Sequence, residues 1–183
     1  MKTITPTKKS PQETTDTTDV TQILHHDHQE VAELFFQYSE LEESDLASKN
    51  KIAKAIVQEL FIHAKIEEEI VYPSVRKLDK DSEKLMDEAD TEHHLVKFIL
   101  AELSEMKAGD DHFDSKICVL GELVNHHVQE EEKEIFEALR EGDFDLQKMG
   151  AQILARKKEL GQTVVPKGMM IMTDSKSAPK SKK

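Results

Sequence analysis

LFIHAKIEEEIVYP, residues 60–73, sets an imidazole and a carboxylate one helical turn apart, His63 and Glu67, on the same stripe as Leu60 and Ile70. Residues recurring at spacings of three and four share one helix face, and an apolar face of that kind looks into a core. Two polar groups therefore stand where apolar ones belong. LVNHHVQEEEKEIF, residues 123–136, repeats the pattern with Val124, His127, Glu131 and Ile135 on one line. Two more lines carry one histidine each: Leu24, His28, Val31 and Phe35, and Met86, His93, Val96 and Leu100.

The offsets select among neighbouring histidines. Apolar residues follow His28 at +3, +6 and +7 (Val31, Leu34, Phe35) and follow His93 at the same offsets (Val96, Ile99, Leu100). His63 has Glu67 at +4 and Tyr72 at +9, and His127 has Glu131 and Phe136, whereas His126 would meet Ile135 at +9. His28 and His63 lie 35 residues apart, and His93 and His127 lie 34 apart. The chain reads as two copies of one helical hairpin.

Outward from these motifs, four amphipathic segments are predicted: about Val20–Glu42, Leu46–Leu78, Ser82–Lys107 and Phe113–Glu141. Pro73 should kink the second or end its regular part, since it has no N–H and crowds the preceding turn. Asp81 or Ser82 is a plausible cap for the third, and Gly109 and Gly142 follow the third and fourth. A shorter helix from about Asp143 to Leu160 should pack outside. The expectation is an all-α, antiparallel up-down-up-down four-helix bundle with a short extra C-terminal helix.

Composition agrees with that expectation. Tryptophan is absent, Gly and Pro number 6 and 5, and residues 1–18 and 161–183 read as disordered tails flanking one domain over 19–160. The run Met169–Met172 sits in the second tail, which is Lys-rich. Removing the eight basic and three acidic tail residues from 25 and 37 leaves 17 and 34, so the body carries −17. Such a surface repels a phosphate backbone, and no nucleic-acid partner is expected. No segment reaches the roughly 20 apolar residues of a membrane span and no secretory signal opens the chain, so a soluble, cytoplasmic protein without a membrane partner is expected. Cys118, the single cysteine, can form neither an internal disulfide nor a thiolate metal site.

Burying two carboxylates among four imidazoles costs several kcal/mol without compensation. A pair of cations removes the difficulty. Nitrogen and oxygen donors without thiolate suit Fe or Mn, with Zn possible. If Glu67 and Glu131 each bridge both ions, one gains His28 and His63, the other His93 and His127, and each has four protein donors. An oxide or hydroxide bridge makes five and leaves one open position. The ferritin-like pattern differs, because its Glu-x-x-His pairs have the opposite order and a spacing of three.

At these residues the sequence resembles the hemerythrin-like HHE cation-binding family, through DHQEVAELF (27–35), HAKIEEEIVYP (63–73), EHHLVKFILAEL (92–103) and LVNHHVQEEEKEIF (123–136). The resemblance implies a non-haem di-iron site with His28, His63, His93 and His127 as terminal ligands and Glu67 and Glu131 as bridges. It also implies a small ligand (O2, peroxide or nitric oxide) and a role in oxygen binding or sensing, iron handling or oxidative and nitrosative stress. A peroxide- or NO-consuming enzyme and an iron-storage or delivery protein are the alternatives. Two positions depart from the oxygen-carrying hemerythrins. Lys97 stands four after His93 in place of a ligating histidine, and Glu131 stands four after His127 in place of an aspartate five after.

The remaining candidates read as structural. His25, His26, His94 and His126 are expected at the surface or behind the ligands, Glu30, Glu68, Glu92 and Glu130 in solvent, and His112 at a loop. Cys118 is expected to pack as a small apolar residue. Tyr38 and Tyr72 are close enough in the pattern to hydrogen-bond near the cations, with packing as their main role.

Overall fold

The computed structural model describes residues 19–161, so the Thr-rich start, the Lys-rich end and the run Met169–Met172 lie outside the described residues. Helix α1 spans Val20–Ser39, α2 Leu46–Ile66, α3 Tyr72–Val75, α4 Lys80–Glu105, α5 Phe113–Glu130, α6 Phe136–Glu141 and α7 Leu146–Leu160. Two π-helical turns, Glu67–Val71 and Glu131–Ile135, join α2 to α3 and α5 to α6. Each composite helix is therefore one continuous rod, and the expected four long helices are all present.

Caps fix the ends. Asp19, Asp45 and Asp145 precede α1, α2 and α7 and accept the backbone N–H of Thr21, Ser48 and Lys148, satisfying donors that have no partner inside the helix. Asp79 does the same for α4, accepting from Asp81 and Ser82. The third segment thus begins two residues before the expected start, and its cap is Asp79 rather than Asp81 or Ser82. The regular α-helix of the second segment ends at Ile66, and beyond the π-helical turn Pro73 sits in the first turn of α3, where the missing N–H is tolerated. The α4–α5 joint turns on Gly109, whose φ of 96° is the left-handed region that side chains disfavour.

The bundle packs α1 on α2, α4 on α5, α2 on α4 and α1 on α5, while α7 lies across α1 and α2. Its apolar interior forms two clusters. One gathers Leu24, Ile62, Ile66, Tyr72, Met86, Phe136 and Leu139, with Ile153 and Leu160 brought in by α7. The other gathers Val31, Ile56, Leu60, Val96, Leu100, Leu120 and Val124. Each fully buried Leu or Ile contributes about 1.5–3 kcal/mol by leaving water. Between the clusters runs a buried polar layer of His28, His63, Glu67, His93, His127 and Glu131.

Cys118 is exposed, contrary to the apolar packing expected of it. Ile117, Leu120 and Val124 occupy the inward stripe of α5, which turns position 118 outward. Tyr38 lies away from the polar layer, donating to Asp114, which also accepts from the buried Lys49 at 2.7 Å. No described helix is long and apolar enough to cross a membrane.

Leu100→Ala removes a fully buried side chain from the second cluster. Its expected cost is about 2–5 kcal/mol of unfolding free energy, read by urea denaturation with unchanged helical circular dichroism.

Candidate metal centre

The geometry of the polar layer follows from the helices. His63 and Glu67 close α2 and open the first π-helical turn; His127 and Glu131 do the same between α5 and the second. Inside each turn the backbone N–H of residue +5 reaches the glutamate carbonyl: Tyr72 bonds Glu67 and Phe136 bonds Glu131. One extra residue per turn thereby stacks histidine, glutamate and aromatic ring in a single column, which accounts for the +9 offset in the sequence.

All six expected side chains converge. His28 Nε2 stands 3.1 Å from His63 Nε2, and His93 Nε2 stands 3.2 Å from His127 Nε2. Glu67 spans the two pairs, with Oε1 3.1 Å from His63 Nε2 and Oε2 3.3 Å from His93 Nε2. Glu131 Oε2 is 3.0 Å from His28 Nε2 and 3.9 Å from His127 Nε2, so it leans toward the first pair. His28, His63, Glu67 and Glu131 form one group of converging donors, and Glu67, His93 and His127 form a second.

Every imidazole is held from behind by a carboxylate. His28 Nδ1 meets Glu132 at 2.7 Å, His63 Nδ1 meets Asp27 at 3.5 Å, His93 Nδ1 meets Glu68 at 3.1 Å and His127 Nδ1 meets Glu92 at 2.7 Å. An ionised carboxylate only accepts, so each Nδ1 carries a proton and each Nε2 faces inward, where it can give a lone pair to a cation. Glu68 and Glu92, expected in solvent, are half-buried partners of the site. Asp27 is buried and also accepts from Lys157 of α7; Glu68 accepts from Lys97 at 2.5 Å. In the sequence the outer set was visible only as acids at −1 from His28 and His93 and at +1 from Glu67 and Glu131. Of the remaining side histidines and acids, His26, His94, His112 and Glu30 are exposed as expected and exposed His25 and His126 face Glu132 and Glu92, whereas Glu130, expected in solvent, is half-buried beside His126.

Among the described residues only imidazoles stand beside the two central carboxylates. All four oxygens of Glu67 and Glu131 are buried and meet no described donor in hydrogen-bonding geometry, although imidazole nitrogens stand 3.0–3.3 Å away. Donors about 2.1 Å from a first-row dication and at right angles to each other are about 3.0 Å apart. The observed separations fit that edge, and the donor set of imidazole and carboxylate fits Fe, Mn or Zn.

Protons occupy part of this role in the metal-free protein. Burial alone would push His28, His63 and His93 down, but the carboxylates beside them prevail and all three are raised, His93 to about 9. Burial would raise Glu67, yet the His63 charge holds it well below the usual carboxylate range. Glu131 is raised by burial and by the charge of Glu67. Burial and the Glu67 charge keep the Tyr72 hydroxyl protonated. Tyr72 Oη lies 3.1 Å from His93 Nε2 and 3.4 Å from His127 Nε2, a contact beyond the packing role expected of it.

A cavity of about 20 Å³ opens on the other side of the imidazoles, lined by all four and by Val31, Leu60, Ala64, Val96, Val124 and Val128. It holds roughly one water-sized group.

Comparison with known proteins adds three findings. The model of the hemerythrin HHE cation binding domain matches residues 19–139. A crystal structure of a hemerythrin HHE cation binding domain-containing protein from Mycobacterium kansasii aligns with a TM-score of 0.65 at 21% identity, covering 78% of this chain and 86% of that one. That likeness establishes the shared fold. A protein named DNA nickase from Nostoc sp. is 29% identical over 125 residues, 67% of this chain and 34% of its own length. This chain spans about a third of that relative.

The raised imidazoles set a pH dependence for the metal-free protein. A histidine whose folded pKa exceeds its unfolded value of about 6.5 stabilises fully below that value and loses its contribution as pH rises through the folded pKa. Thermal stability of metal-free protein should fall between pH 6.5 and about 9, the His93 value. Melting curves of metal-loaded protein should lack that decline, because the cation has already displaced the protons.

Proposed function

This chain belongs to the hemerythrin HHE cation-binding domain family, and from that premise we propose that it is a non-haem di-iron protein that binds or senses O2 or a related small oxidant. The observation that carries the reading is the pairing of four inward Nε2 atoms, 3.1 and 3.2 Å apart, around two buried carboxylates that accept no hydrogen bond from the described residues. His28 and His63 hold one ion and His93 and His127 the other. Glu67, which spans the two histidine pairs, and Glu131, which leans toward the first, would supply the carboxylate oxygens. Bound iron supplies electron exchange and an open coordination position.

The protein's own residues decide what reaches that position. The cavity beside the imidazoles has an apolar wall and room for about one water-sized group, which suits a diatomic such as O2 or NO and excludes an organic substrate. Asp27, Glu68, Glu92 and Glu132 fix the tautomer and tilt of the rings, so the Nε2 atoms stay aimed without rearrangement. The nicking named for the Nostoc relative is not carried over, because a body at −17 repels a phosphate backbone.

Metal analysis and the visible spectrum of aerobically purified protein test the proposal. Two irons per chain with oxo-to-iron absorption are expected; one zinc and no colour would reject it. His63→Ala and Glu131→Ala should each lower iron content and melting temperature together, since the site couples to folding. Ala64→Val narrows the cavity and should weaken NO binding about tenfold, roughly 1.4 kcal/mol, with iron content retained. Rapid O2 evolution on adding peroxide would instead assign turnover to the same position, and iron loading far beyond two per chain would assign storage.

A further inference from the structure

The two groups of converging donors are unequal. His28, His63, Glu67 and Glu131 supply four to the first position, but His93, His127 and Glu67 supply three to the second. The shortfall arises because Glu131 Oε2 approaches His28 to 3.0 Å and stays 3.9 Å from His127. One further oxygen stands at the second position. Tyr72 Oη lies 3.1 Å from His93 Nε2, close to the separation of the other donors there, and 3.4 Å from His127 Nε2.

We propose that the Tyr72 phenolic oxygen is a direct ligand of the second metal ion, which makes the centre chemically asymmetric. The inference rests on the di-iron reading above and deepens it.

Three observations support it. Tyr72 is 2% exposed, so water cannot satisfy its hydroxyl. In the metal-free protein the hydroxyl stands within hydrogen-bond distance of His93 Nε2 and His127 Nε2. A cation bound to those nitrogens consumes both lone pairs, and a buried hydroxyl left without an acceptor is costly. Coordination resolves the conflict: the oxygen takes the ion, and its proton is released to solvent as metal binds.

The other half of the molecule provides an internal comparison. Phe136 holds the equivalent place, five residues after Glu131 across the second π-helical turn, and its ring stacks on His28 at 6.0 Å as that of Tyr72 lies against His93 at 5.1 Å. The same column therefore accommodates a phenyl ring without a hydroxyl where Glu131 is close enough to serve, and has a phenol where it is not.

The test uses the full chain loaded with iron and held in the ferric state. Resonance Raman excitation in the visible band should show tyrosinate ring modes. Tyr72→Phe should abolish those modes and shift the band, with helical content retained and iron either unchanged or reduced from two to one per chain. Tyr38→Phe, removing the chain's only other tyrosine, should change nothing. Wild-type protein with two irons and no tyrosinate modes would overturn the ligand assignment while leaving the di-iron reading intact. Persistence of the modes in Tyr72→Phe would also overturn it. Wild-type protein that retains no iron would remove both.

Discussion

Two ionisable carboxylates lie in the middle of an apolar bundle with no hydrogen bond to any of their oxygens among the described residues, and the rest of the structure is arranged around that cost. Glu67 and Glu131 are at most 1% exposed, and apolar clusters close over them from both ends of the bundle. Leaving such groups uncompensated costs several kcal/mol each, a large part of the stability of a domain of this size. Protonation answers only in part, because the two carboxylates and the raised imidazoles compete for the same protons. A pair of cations answers fully, and four Nε2 lone pairs already aim at where they would sit.

What keeps those lone pairs aimed is a set of ties that also holds the helices in register. Asp27 to His63 and Glu92 to His127 run within a hairpin, while Glu68 to His93 and Glu132 to His28 run between hairpins. Each acid sits beside an inward-facing residue on its own helix and reaches back to a histidine on a neighbour. A shift of one helix by one residue would break two ties at once. The two π-helical turns serve the same end, since they let one column present a carboxylate and then an aromatic ring to the centre.

The bundle and its six central side chains were readable because helical periodicity makes an inward polar residue conspicuous among apolar neighbours. His63 and Glu67 interrupt a stripe that Leu60 and Ile70 define, and no other local context explains them. The acids behind the histidines were not readable. Glu68 and Glu92 look like any other glutamate in a chain with 37 acids, and their partners lie 25 and 35 residues away on other helices. Asp27 was hidden likewise, because the lysine that pairs with it comes from α7, 130 residues on. The π-helical turns left one trace, the aromatic residue at +9 from His63 and His127, which identified the right histidine before the backbone reason for it was visible.

Charge balance explains why a lysine suits position 97. Six carboxylates surround the centre: Glu67 and Glu131 inside, Asp27, Glu68, Glu92 and Glu132 behind the rings. Two dications would neutralise four of those charges. Lys97 on Glu68 and Lys157 on Asp27 neutralise the other two. A fifth imidazole at position 97 would add a ligand but, while neutral, no charge, and the outer carboxylates would keep an excess that raises the cost of burying them. Lys97 supplies an ion pair that holds Glu68, and through it the His93 ring, in place. The His93–His127 pair, distant from Glu131, is the one that Tyr72 faces.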